Sequence, residues 1–146
     1  MDPTFLILIH SILRYGLLLF VVAAILFSLY GLATRSPFLI GHRQVTVWAV
    51  MLAHIQLILG VILYIMRGWY KVAADSRIDR YWKMEHVGIM IVAIILITVG
   101  RVMSKKATDD RKKQLYILIF FGIALLLMLM MMPWPYREIG FGRGWI

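Results

Sequence analysis

The chain alternates between long apolar runs and short polar clusters. Apolar residues dominate residues 5–32, 45–66, 82–103 and 115–132. A transmembrane helix needs roughly 20 such residues, so each run is of spanning length or close to it. The first run exceeds that length and is free to tilt or protrude. Pro3 and Thr4 supply first-turn and capping chemistry for it. Thr34-Arg35-Ser36-Pro37 ends it, and Gly41-His42-Arg43 makes the turn into the second. Residues 67–80 form a longer polar connection, in which Trp69 and Tyr70, with Tyr81 and Trp82 just after it, read as interface anchors. Four spans with mostly short connections predict an all-α integral membrane protein, an up-down-up-down bundle of four transmembrane helices. Residues 1–146 read as one domain, with 133–146 as a tail along the surface.

Composition agrees with the pattern. The chain is 62% hydrophobic with a mean hydropathy of +0.85, where a soluble domain is closer to half apolar. The net charge of +9 sits in short clusters between spans. That placement suits loops against anionic headgroups and argues against a nucleic-acid partner. There is no cysteine, which excludes disulfides, iron–sulfur ligation and thiolate chemistry. Met1-Asp2-Pro3-Thr4 lacks the basic start of a signal peptide, so the first run is expected to stay as a span. We call the membrane face holding the N-terminus, the 67–80 connection and the C-terminus side A, and the opposite face side B. Raw basic counts tie, but those of side B occupy the tighter loops, where the positive-inside rule applies best. The expected orientation has both termini outside.

Polar groups inside the spans carry the candidate chemistry, because ionisable side chains at membrane depth are costly. His10 lies on the first span, His54 near the middle of the second, and Glu85-His86 opens the third. At about 1.5 Å rise per residue, His10 is roughly 9 Å and His86 roughly 6 Å below side A, while His54 is roughly 18 Å below it. The first and third spans are diagonal in a square bundle. His10 and His86 are therefore expected to face each other across its axis, an arrangement that can hold a haem iron between two imidazoles. Arg14, one turn deeper than His10 on the same face, needs an anionic partner such as a haem propionate, a quinone oxygen or Glu85. His54 is expected to line the surroundings of the macrocycle or an adjoining quinone site. The run Met128, Met130, Met131, Met132 reads as a soft apolar lining. His42 falls in a loop and reads as solvated, Glu85 as an interface ion pair, and Arg67 and Arg101 as snorkelling span ends.

His10-Ser11-Ile12-Leu13-Arg14-Tyr15 opening the first span resembles the start of small bacterial four-helix membrane b-type cytochromes. Glu85-His86 opening a later span and Gly100-Arg101 closing it are similar to one four-helix half of haem A synthase. The resemblance covers the layout of the chain and implies electron transfer through non-covalent haem b, in a bacterial inner membrane. His10 and His86 would be the axial ligands of the iron. A lipid bilayer is the expected surrounding, with a protein partner or a second copy beside the chain. No Cys-x-x-Cys-His is present, which excludes covalent c-type haem.

Two other readings stand beside this one. Three histidines with Glu85 could hold zinc or copper, but they are spread over about 12 Å of depth. The polar groups could instead only join helices, in a haem-free structural or assembly subunit. A hydrolase has no support: there is no G-x-S-x-G, no H-E-x-x-H and no carboxylate pair within a span.

Overall fold

The computed structural model describes residues 3–140. Among them, four helical segments are long and apolar enough to cross a membrane, and no strand occurs. They are α1 (Pro3–Thr34), α2 (Ile40–Met66), the composite span Arg77–Lys106, and α5 (Asp110–Met131). The composite span joins α3 (Arg77–Arg80), a π-helical turn (Tyr81–Glu85) and α4 (His86–Lys106). The protein is thus an all-α bundle of membrane-spanning helices, as its hydropathy pattern requires.

Each helix begins before its apolar run, because backbone groups near lipid must be satisfied within the helix until water or a cap takes over. Asp109 caps α5 by accepting the Lys112 N–H at 3.0 Å, and Ser76 caps α3 by accepting that of Asp79 at 3.0 Å. α1 stops where Arg35 turns left-handed, at φ 55°, and the Ser36 N–H closes on the Gly31 carbonyl at 3.0 Å. Gly68, at φ 68°, ends α2 in the same way.

α1 packs against α2 and α5, and α4 against α5 and α2, which leaves α1 and α4 diagonally opposed. Of the four neighbouring pairs, α2 and α4 are the most loosely packed. The core runs through Val21, Ala24, Ala49, Ala53, Ala93, Ile97, Ile117 and Phe121. Small residues let the helices approach. At Gly31 the amide of Gln114 occupies the space of a side chain, and at Gly100 a methyl group would lie 2.5 Å from Phe120 Cβ. Gln114 is buried and donates through Nε2 to the Ser36 carbonyl at 2.9 Å, tying α5 to the end of α1.

His42 departs from its solvated reading. α2 begins at Ile40, so His42 falls in its first turn and is buried. Its Nδ1 accepts the Leu39 N–H at 3.3 Å, and its Nε2 lies 3.2 Å from the Phe27 carbonyl, to which it donates. The rings of Phe27 and Phe38 flank it.

On side A, Pro133 prevents α5 from continuing, and the carbonyls left open at its end are taken by side chains. Trp134 Nε1 donates to the Leu129 carbonyl at 2.9 Å, and the Arg137 guanidinium donates to those of Met130 and Met132. Ile139 is buried and Glu138 meets Arg77 at 3.6 Å, so residues 133–140 fold back over the bundle. The remainder of the expected tail, 141–146, lies outside the described residues.

Candidate functional site

A cavity of about 510 Å³ occupies the side A half of the bundle. All four spans line it, His10, Arg14 and Leu17 from α1, Gln56 and Gly60 from α2, His86 and Met90 from the third span, and Met128 from α5. Its volume falls within the range of small-molecule and cofactor sites, roughly 300–1,000 Å³, and such sites lie between the helices of bundles.

The π-helical turn sets the His86 side of this cavity. In a regular helix, residues five apart point about 140° away from each other. Here the His86 N–H bonds the Tyr81 carbonyl, a five-residue closure that brings both side chains to one face. Tyr81 is 1% exposed, and its hydroxyl donates to the Met131 carbonyl at 2.6 Å. His86 Nδ1 lies 3.1 Å from the same oxygen and 3.3 Å from the Tyr81 hydroxyl. A carbonyl only accepts, so Nδ1 carries the proton in that bond and Nε2 is the nitrogen with a lone pair. Met131 is the last residue of α5, and its carbonyl is open because no later helical N–H reaches it. The rings of Tyr81 and Trp82 flank the imidazole, each with its centroid 5.5 Å away.

His10 comes from the opposite corner. Its Nδ1 is buried and has no hydrogen-bond partner among the described residues. Gln56 Nε2 donates to the His10 carbonyl at 2.9 Å, while Gln56 Oε1 is buried without a partner among them. Gly60 leaves room beside the ring, since a methyl group there would lie 3.4 Å from His10 Cε1. Arg14 donates to the Tyr15 hydroxyl at 3.2 Å, with its guanidinium 4.7 Å from the centroid of that ring. His10, His86 and Arg14 are within Coulombic reach of one another. Trp69 and Trp82, stacked at 6.1 Å, line the side A end of the cavity.

The structure therefore brings His10, His86 and Arg14 to one cavity and leaves His54 out of it. His54 is exposed on the outer face of α2 and is not among the lining residues. The reason was available in its spacing. Gln56 and Gly60, four apart, share the inner face, and a residue two positions before Gln56 points the other way. Glu85 is also absent from the lining: it is exposed, and it joins neither ion pair of the described residues, Arg77–Glu138 or Asp110–Lys113. Neighbours in a helix do not face the same side, so the adjacent carboxylate and imidazole separate. No group of three His, Cys, Asp or Glu able to hold a metal ion occurs among the described residues, which removes the three-histidine zinc or copper arrangement.

Tyr81 is the participant that sequence reasoning missed. It reads as an interface aromatic, and only the five-residue closure turns it inward. Met128 and Met132 take the lining role expected of the methionine run, whereas Met130 is exposed. No protein-family model matches this chain, and no curated protein or solved structure matches it significantly.

Proposed function

We propose that this chain is a membrane b-type cytochrome that holds one haem b between His10 and His86 and passes single electrons. The observation that carries the reading is that two imidazoles from diagonally opposed helices line one cavity, one of them already anchored by its other nitrogen. Histidines that ligate metals characteristically donate their second N–H to a carbonyl or carboxylate, which fixes the ring and leaves the lone pair for the metal. His86 does this through Met131. The unpartnered Nδ1 of His10 and the space at Gly60 suit a group arriving between the helices. When bound there, haem b supplies one-electron chemistry at its iron. The chain's own part is to orient two neutral imidazoles, to exclude water with Leu17, Met90, Met128 and the stacked indoles, and to offer the Arg14 charge to an anionic group. Gln56, whose Oε1 lacks a partner among the described residues, is suited to accept from a hydroxyl or quinol at the cavity wall.

The wider reading places the protein in a bacterial inner membrane with both termini outside, free or within a respiratory complex. The basic residues Arg35, Lys105, Lys106, Arg111, Lys112 and Lys113, at the side B helix ends and the short turns between them, support that orientation.

The test is a reduced-minus-oxidised spectrum of the purified protein with a pyridine haemochrome assay. A b-type band at about one haem per chain is expected. It should be lost in His10→Ala and in His86→Ala and kept in His54→Ala. Absence of haem where a control cytochrome is loaded would overturn the reading and leave a haem-free helix-joining subunit in its place.

A further inference from the structure

His54 has no part in the cavity, yet it sits at the middle of a membrane span with its side chain exposed. Ionisable residues at that depth almost always turn towards protein. The ring donates from Nδ1 to the Val50 carbonyl at 2.8 Å, so its Nε2 carries an outward lone pair. A second observation concerns the helix itself. α2 is the span its own bundle covers least, with 17% of its apolar window buried against 28% in each of the other three.

A third is the pattern around His54. Val47, Met51, His54, Ile58, Val61 and Ile65 are all exposed and follow one another at alternating steps of four and three residues. This is the spacing of a two-helix seam, with Met51, Ile58 and Ile65 at a and Val47, His54 and Val61 at d. A lone polar side chain in an apolar seam is a device for fixing register.

We propose that α2 is a homodimerisation helix, whose outer seam docks on the same seam of a second copy with His54 paired across the two-fold axis. A second copy fits because the membrane fixes its orientation. Two chains inserted the same way are related by an axis along the membrane normal, so α2 meets α2 in parallel and each residue meets its own depth. A parallel seam of this kind is self-complementary, with a against a and d against d. Two rings that both donate to Val50 would oppose two lone pairs. One ring swings off the Val50 carbonyl, carries its proton on Nε2 in place of Nδ1, and donates to the Nε2 of the other. The pair stays neutral, and the Val50 carbonyl keeps its helical bond.

The chain has no cysteine, so single cysteines report directly on contacts between copies. Full-length variants carrying cysteine at positions 47, 51, 58, 61 and 65 are oxidised in proteoliposomes and compared with Trp48→Cys and Ile62→Cys beside the seam. Leu126→Cys, on the exposed face of α5, reports random collision. Disulfide-linked dimer is expected to peak at the seam positions. Equal linking at 126, or no dimer at any seam position in protein that is folded by circular dichroism, would overturn the proposal. His54→Ala should weaken association, read by energy transfer between labelled copies, by about threefold, and His54→Asn should restore it. Unchanged association in His54→Ala would overturn the pairing. The haem spectrum of His54→Ala is expected to be normal, so this outcome is separate from the cytochrome reading.

Discussion

His42 and His86 are both partly or fully buried near opposite ends of the bundle, and they differ in how many nitrogens are spoken for. His42 uses both, one accepting from Leu39 and one donating to Phe27. It has nothing left to offer a ligand and serves as a clasp between α2 and α1. His86 uses one nitrogen, on the Met131 carbonyl, and lines a cavity with the other available. The halves of the bundle around them differ in packing, closed towards side B and open around a cavity towards side A. Towards side B, glycines and alanines bring the helices together, and Gln114, Thr46 and His42 are closed by backbone groups, whereas Ser104 Oγ and Arg101 Nε are buried without partners among the described residues. Towards side A, His10 Nδ1 and Gln56 Oε1 are buried without partners among the described residues. Counting satisfied polar atoms therefore separates structural histidines from candidate ligands, where burial alone would group them.

The contrast can be broken by substitution. Gly100→Ala should cost the most, about 1–3 kcal/mol in a detergent unfolding titration, because Phe120 Cβ is fixed to its helix and cannot step aside. His42→Ala should follow at about 1–2 kcal/mol, leaving the Leu39 N–H and Phe27 carbonyl short of a partner. On the proposed cytochrome reading a haem spectrum is unchanged in this variant, and a lost spectrum would place His42 in the binding machinery after all. Tyr81→Phe removes one of two donors to the Met131 carbonyl. A cost of about 0.6 kcal/mol is expected and, on the proposed cytochrome reading, a shifted midpoint potential that a purely structural tyrosine would not produce. Gly60→Ala should be nearly silent in stability, below about 0.5 kcal/mol, since its new methyl meets only a ring edge at 3.4 Å. A larger cost at Gly60 than at Gly100 would reverse the assignment of packed and open halves.

Much of this architecture is legible in the sequence, for reasons that also mark the limit. Span length and depth follow from counting residues at a fixed rise, so the four helices and the common level of His10 and His86 can be read directly. Rotation about the helix axis is harder, because a membrane helix is apolar on its inner and outer faces alike and carries little amphipathic signal. His54 was misplaced for that reason, although its two-residue offset from Gln56 held the answer. The inward turn of Tyr81 depends on a π-helical closure that local propensity does not announce. His42 moved from loop to core because α2 starts earlier than its apolar run.

The two imidazoles of the cavity also divide the molecule by order of assembly. His10 belongs to the pair α1–α2, and His86 to the pair α4–α5, which a short turn joins on side B and the Met131 carbonyl clips on side A. Each pair is contiguous in sequence and can insert as a hairpin before meeting the other, and neither encloses the cavity alone. Whatever fills that space must touch both hairpins. A ligand there would enter late in biogenesis, once the two halves have found each other.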